Sequence, residues 1–240
     1  MSSRGKFQTT RWTVIRSARA KGDVGSDAAL ATLCEAYWYP LYVFVRRMGY
    51  SADDARDLTQ GYFLKLLEKD FLDAVRPEAG KFRSFLLASM KHYLANSRRD
   101  AAAIKRGGGQ QLLSLDLDVA EHRYRHEPDA GESPEVAYER RWACAVIERA
   151  RLRLRSEFER AGKAQTFELL AEHLTGGGPS KSHREIAERL ETTEAAVKMS
   201  VSRMRRQFGK ALREEIADTI DENAETTDID AEVKYLLQRL

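Results

Sequence analysis

Apolar residues recur at steps of three and four along most of the chain, and runs of β-branched residues are short. This spacing predicts amphipathic helices and almost no strand. The pattern is clearest in the helix that follows Thr193, where the apolar positions form a single stripe. The stripe consists of Val197, Val201, Met204, Phe208 and Leu212. The sequence therefore predicts an all-α protein.

A short helix precedes this long one, and together they predict a helix-turn-helix. Ser182 with Glu185 forms a capping box that starts the short helix, and the hydroxyl of Thr193 caps the long one. Away from its apolar stripe the long helix is basic, with no acid between 198 and 213. A helix fits the major groove of DNA, so this face is a candidate DNA-binding surface. A merely solvated basic face is the alternative.

The chain before this motif also shows helical spacing. A short helix is predicted to begin with residues 10–15 and to end before Lys21. A longer helix opens after Ser26, is kinked by Pro40 and ends at Gly49. Ser51 caps the next helix. The exposed face of that helix suits a protein partner, with a solvated face as the alternative. The residues of this exposed face are Asp53, Arg56, Asp57 and Gln60.

A further helix is predicted beyond a turn at 77–80, and its polar positions are basic. From 81 to 106 there are seven cations and the single acid Asp100. Cations for phosphates, aromatic rings for stacking and an amide for base edges are the combination that binds single strands. A core position is the alternative for the aromatic residues. The candidates are Phe82, Lys91, His92, Asn96, Arg98 and Arg99.

Changes in composition divide the chain into two small helical domains with a flexible linker between them. Residues 107–133 are polar and lack a long periodic segment, which predicts an extended linker. The tail is acidic and ends in a short amphipathic helix, which is free to dock on the protein's own basic surface or on a partner, or to remain solvated. The predicted divisions are an extension with a short helix at 1–25, a first domain at 26–106, the linker at 107–133, a helix-turn-helix domain at 134–216 and the tail at 217–240.

Composition excludes several classes of function. The 240 residues carry a net charge of +3 and contain neither a bilayer-length apolar run nor a signal core, so we expect a cytoplasmic protein without a membrane partner. Cys34 and Cys144 fit reduced core thiols. His122 and His126 lack a third ligand at suitable spacing, so no metal is expected. Without a phosphate loop or a nucleophile elbow, we expect no enzyme and no cofactor.

Three motifs in chain order resemble those of a sigma factor of bacterial RNA polymerase, of the extracytoplasmic-function type. DARDLTQGYF at 54–63 resembles the helix of that family that binds core polymerase. FRSFL at 82–86 with NSRR at 96–99 resembles the promoter-melting segment, and EIAERL at 185–190 with AVK at 196–198 resembles the second promoter-binding motif. The resemblance covers roughly 27–106 and 135–215, and the acidic tail looks like that of an extended subgroup.

The resemblance implies roles in transcription initiation and its regulation, with core RNA polymerase and promoter DNA as partners. It implies that Asp53, Arg56, Asp57 and Gln60 contact the polymerase. It implies that the downstream promoter element and its flipped base are bound by Lys91, His92, Asn96, Arg98 and Arg99, with Phe82 holding the melted strand. The residues implied to read the upstream element are Thr193, Glu194, Lys198, Ser202, Arg203 and Arg206.

Three residues depart from the family pattern. Gly61 stands where the family usually has an acid, Phe85 where it often has Trp, and Glu191 where the turn commonly has Gly. A glutamate at positive φ is strained, so either this turn differs or the motif is weakened. The alternative function is a helix-turn-helix regulator that acts without polymerase. Candidate regulators of the chain itself are an anti-sigma protein, a regulatory kinase and the tail.

Overall fold

The computed structural model describes residues 37–67, 81–101, 117–126, 131–174, 180–217, 219 and 225–240. Every regular element within these ranges is helical, which confirms the predicted all-α class. None of the helices described is both long enough and apolar enough to cross a lipid bilayer. The predicted helix at 10–15, the helix start after Ser26, Cys34 and the turn at 77–80 lie outside the described residues.

The helices are numbered in chain order. The first, α1, covers residues 37–47 of the described chain. The others are α2 (Ala52–Leu67), α3 (Phe82–Ala101), α4 (Leu117–Arg125), α5 (Pro134–Arg160), α6 (Ala164–Leu170), α7 (His183–Arg189), α8 (Glu194–Ala217) and α9 (Thr226–Leu237), with a 3-10 turn at Ala171–His173 after α6.

Short polar side chains cap the starts of four helices, three of them as predicted. At each, a serine or threonine hydroxyl accepts a hydrogen bond from the backbone N–H three residues on, at distances of 3.1 to 3.3 Å. Such a cap satisfies one backbone donor that the helix itself cannot pair. Gly49, with φ of 91°, follows the end of α1. The four caps are Ser51, Ser133, Ser182 and Thr193.

The chain forms two compact units. One contains Met1–Ala145 and Ala217–Leu240, and the other contains Val146–Ile216. The division falls within α5, so the first part of this helix belongs to one unit and its remainder to the other. The domain limits drawn from composition stay a prediction.

Aromatic side chains fill the core of the first unit. Phe82 packs edge-on against Tyr37, with ring centroids 5.3 Å apart. The buried hydroxyl of Tyr62 shares a hydrogen bond of 2.6 Å with Ser89 Oγ, which satisfies both groups. Burying one such ring contributes about 1.5–3 kcal/mol, so this set holds α1, α2, α3 and the start of α5 together. The largest buried side chains here are Tyr37, Tyr42, Phe44, Tyr62, Phe63, Phe82, Tyr138 and Trp142.

The segment predicted to be a linker contains α4, which is tied to α1. Glu121 accepts hydrogen bonds from the Tyr42 hydroxyl at 2.5 Å and from Arg46 at 3.2 Å. Burial alone raises the pKa of Glu121, but the hydrogen bonds from Tyr42 and Arg125 and the charge of Arg46 lower it overall. Burial and the bond to Glu121 raise the pKa of Tyr42. These contacts link α4 to the first unit through a polar network.

The second unit is a small helical core beneath the helix-turn-helix. The apolar stripe of α8 is confirmed, since Val197, Val201, Met204 and Leu212 are at most 5% exposed and Phe208 is partly buried. Its upper part packs against residues from α5, α6 and α7, which are Leu154, Phe167, Leu170, Ile186 and Ala187. Within the turn, Glu191 has φ of 50°, so the glutamate occupies the left-handed region and is strained. A weakening of the motif stays a prediction.

The tail ends in the predicted short helix, α9. Its start carries a capping box of Glu225 and Asp228, and Leu236 on its inner face is fully buried. Glu232 is also buried, and its carboxylate pairs with Lys81 and Arg83 in the same unit. The described end of the tail therefore docks on basic residues of the protein itself, which is one of the predicted alternatives.

Candidate nucleic-acid interface

The exposed face of α8 carries the residues predicted to read duplex DNA. The Thr193 cap starts the helix, and the buried stripe fixes which side faces the core. The remaining positions must then point outward, because a helix places every third or fourth residue on one face. All six predicted residues are exposed: Thr193, Glu194, Lys198, Ser202, Arg203 and Arg206.

The cations of α8 differ in how far they are neutralised. Lys198 Nζ lies 2.7 Å from Glu194, and that hydrogen bond lowers the pKa of Glu194. Lys210 lies 3.8 Å from Glu214. Within the described part of the chain, Arg203 and Arg206 have no ion-pair partner. These two arginines are therefore the charges most available to an anionic ligand.

An open cavity of about 560 Å³ lies beside α8 within the second unit. Two of its lining residues are histidines from outside α8, His173 of the 3-10 turn and His183 at the start of α7. Their rings stack with centroids 4.8 Å apart and an interplanar angle of 19°. Burial of the ring is the main cause that lowers the pKa of His173, and the nearby charges of His183 and Arg205 lower this pKa further. The cationic residues that line the cavity are Lys198, Arg205, Arg206 and Arg213.

The four polar residues predicted to meet a protein partner share one face of α2. Asp53 is 89% exposed, and Arg56 stands 4.0 Å from it. Asp57 is exposed and Gln60 is half-buried. Their spacing of three, four and seven residues places all of them on one stripe. The structure thus brings this predicted set together.

The predicted single-strand residues on α3 are only partly accessible. Lys91, His92 and Asn96 are exposed, but Lys91 Nζ lies 2.7 Å from Glu135, whose pKa this hydrogen bond lowers. Phe82 is completely buried against Tyr37. A contact between its ring and a melted strand requires the start of α3 to open, and that role stays a prediction. The side chains of Arg98 and Arg99 lie outside the described residues.

Arg83 forms a buried ionic cluster that the sequence did not predict. Its guanidinium lies over the rings of Trp142 and Tyr235, at 4.4 and 4.6 Å from their centroids. Its Nε donates to Glu139 at 3.0 Å, and it also pairs with Glu232. Burial and the charge of Arg83 lower the pKa of Lys81, which lies 2.5 Å from Glu232. The charge count over 81–106 therefore includes cations, Lys81 and Arg83, that are engaged in this cluster. Fewer cations are accessible to DNA than the count indicates.

The sequence missed both cavity histidines as well. His173 and His183 are separated by a glycine-rich stretch, and nothing in their spacing indicates that their rings stack. His122 and His126 do lie together, with centroids 4.3 Å apart, yet His126 Nδ1 is engaged with the His122 carbonyl at 2.7 Å. Among the described residues, no group of three or more potential ligands is arranged to hold a metal ion.

Comparison of this chain with protein-family models, curated proteins and solved structures finds no match. Function is therefore inferred from the surfaces described above. The most developed of them is the exposed basic face of α8 next to its cavity.

Proposed function

We propose that this chain is a sigma factor that binds core RNA polymerase and directs promoter recognition, DNA melting and transcription initiation. The observation that carries the proposal is the capped helix-turn-helix with Arg203 and Arg206 exposed and unpaired within the described chain. Two exposed arginines on one helix provide the bidentate donors that read guanine or hold phosphate. The proposed action is binding, without enzymatic turnover, and its proposed place is the cytoplasm.

Each of three surfaces has its own role in the proposed function. The face of α8 reads the upstream promoter element, and the exposed residues of α3 bind the downstream element as a single strand. The stripe on α2 binds core polymerase, because a surface rich in carboxylates suits a protein partner better than nucleic acid. An anti-sigma protein or a regulatory kinase is the proposed external control.

The α2 assignment is tested with the double substitution Asp57→Ala and Gln60→Ala. We expect it to weaken binding to core polymerase about tenfold or more while leaving the fold intact, because Asp57 is exposed and Gln60 is only half-buried. Co-elution with core polymerase and run-off transcription from a promoter library measure the effect. Glu157→Ala, which removes an exposed acid from α5, is the matched control.

The outcomes separate the two candidate functions. Transcripts that start at positions sharing a two-part upstream motif support the sigma-factor proposal. Unchanged polymerase affinity in the double variant removes the α2 assignment. A chain that footprints an operator in duplex DNA but never binds polymerase is instead a helix-turn-helix regulator.

A further inference from the structure

The cavity beside α8 has the features of a built anion site. It lies within the second unit, where the 3-10 turn, the start of α7 and α8 meet. None of the described residues that line it is acidic, and four of them are cations. Oxyanions are the ligands that clustered lysines and arginines bind best, through charge-assisted hydrogen bonds.

His173 supplies an observation that is independent of charge. Its side chain is only 6% exposed, and its ring is hydrogen-bonded to the backbone of Lys181. Within the described chain its Nε2 has no hydrogen-bond partner, so Nδ1 makes the bond to Lys181. Buried polar atoms are nearly always paired in folded proteins. His173 therefore lines the cavity with a ring that has one nitrogen unpaired by the described residues.

Arg205 fixes the geometry of this wall. Its Nε donates to the backbone carbonyl of His173 at 2.9 Å, which joins α8 to the 3-10 turn and orients the guanidinium. Among the described residues, the other guanidinium nitrogens of Arg205 and the whole head group of Arg206 have no hydrogen-bond or ion-pair partner. A planar arginine fork held in this way is suited to an oxyanion with several acceptor oxygens.

We propose that this cavity binds a phosphate group, held by Arg205, Arg206 and the His173–His183 pair. The phosphate belongs either to a nucleic-acid backbone or to a free phosphorylated ligand. Binding requires no polymerase, so failure of this site and failure of the proposed function are separate results.

The histidine pair predicts how anion binding in the cavity depends on pH. His173 faces His183, Arg205, the backbone of Lys181 and Glu172, whose carboxylate is engaged by Ser180 at 2.6 Å. Burial of the ring, then the charges of His183 and Arg205, lower the pKa of His173 and so favour its neutral form when the cavity holds no anion. An anion next to the ring favours the imidazolium, so binding takes up a proton and strengthens as the pH falls from about 8 to about 6.

The test is a titration of the full-length chain with inorganic phosphate, followed through the ring signals of its five histidines by NMR. The signals of His173 and His183 are assigned by their loss in His173→Gln and His183→Gln. We expect saturable shifts of these two, with the other histidines as internal references. Sulfate, whose charge stays constant over this pH range, should bind more tightly at the lower pH.

Two variants that each lose one positive charge test whether the position of that charge matters. Arg206→Gln should raise the phosphate Kd about fivefold, because it removes one charged donor from the cavity. Arg160→Gln removes an exposed arginine of the same unit that does not line the cavity, and should leave the Kd unchanged. If His173→Gln fails to fold, calorimetric titration of these two variants still decides.

A mixed-sequence DNA duplex identifies the source of the phosphate. Displacement of bound phosphate by the duplex indicates a backbone contact, and simultaneous binding of both indicates a free phosphorylated ligand. The proposal is overturned if neither phosphate, sulfate nor duplex shifts the His173 and His183 signals, or if Arg206→Gln binds phosphate as the wild type does.

Discussion

At the scale of single residues, Glu191 shows a local conflict between sequence and backbone. The turn between α7 and α8 needs a residue in the left-handed region, and Glu191 occupies it with φ of 50°. The turn is nevertheless held, because the Thr192 N–H donates to the Ala187 carbonyl at 3.0 Å. A residue with a Cβ in this region costs about 1–2 kcal/mol, and glycine avoids that cost. The motif is thus formed but strained.

Replacement of Glu191 by Gly should therefore stabilise the protein. We expect the free energy of unfolding to rise by about 0.5–1 kcal/mol, since relief of strain exceeds the greater chain entropy that glycine brings to the unfolded state. Urea denaturation followed by far-UV circular dichroism measures the change. Glu191→Ala is the control, because it removes the same charge and keeps the Cβ. Equal stabilities of the Gly and Ala variants would show that strain is absent.

At the scale of helices, Gly61 permits the close approach of α2 to α3. A Cβ built at Gly61 would lie 2.4 Å from the hydroxyl of Tyr93, well inside van der Waals contact. The Tyr93 ring packs against Tyr62, with centroids 5.8 Å apart, so moving its hydroxyl away from Gly61 would disturb this contact. This packing gives a physical reason for a glycine at a position where the resembled family usually has an acid.

A double-mutant cycle tests this packing. In the wild-type background, Gly61→Ala should destabilise the protein by about 1 kcal/mol, because the clash exceeds the gain in helix propensity. In the Tyr93→Phe background the same substitution should stabilise by up to about 1 kcal/mol, since the hydroxyl is gone. Thermal unfolding of the four proteins supplies the comparison. An identical effect of Ala in both backgrounds would rule out the contact.

The helices also show how far the sequence is sufficient. Caps such as Ser182 and the stripe on α8 are local signals, and their predicted positions agree with the structure. The exposed face of α8 followed from the same spacing. The α4 helix and the cavity depend on partners distant in sequence, as in the bond between Tyr42 and Glu121. Periodicity within a window carries no information about such partners.

At the scale of the whole chain, the acidic tail returns to the first unit. The side chains of Arg83 and Glu232 are 4% and 1% exposed. The cluster joins residues from α3, α5 and α9, and the ring centroids of Trp142 and Tyr235 lie 4.4 and 4.6 Å from the Arg83 guanidinium. Charges that are so little exposed to solvent interact strongly. Loss of one partner leaves the charge of the other buried without compensation. The tail helix is thus part of this unit's ionic core.

Removal of the Glu232 carboxylate should consequently be costly. We expect Glu232→Ala to lower the free energy of unfolding by about 3 kcal/mol, at the lower end of what breaking a buried pair costs, because Glu139 still compensates part of the Arg83 charge. Asp57→Ala removes an exposed acid of the same unit and should change stability by no more than about 0.5 kcal/mol. Urea denaturation of the full-length proteins compares them. Equal losses in the two variants would mean that net charge, rather than the buried pair, holds α9 in place. A large loss confined to Glu232→Ala would establish that the end of the chain stabilises the start of α3, on which the predicted single-strand residues lie.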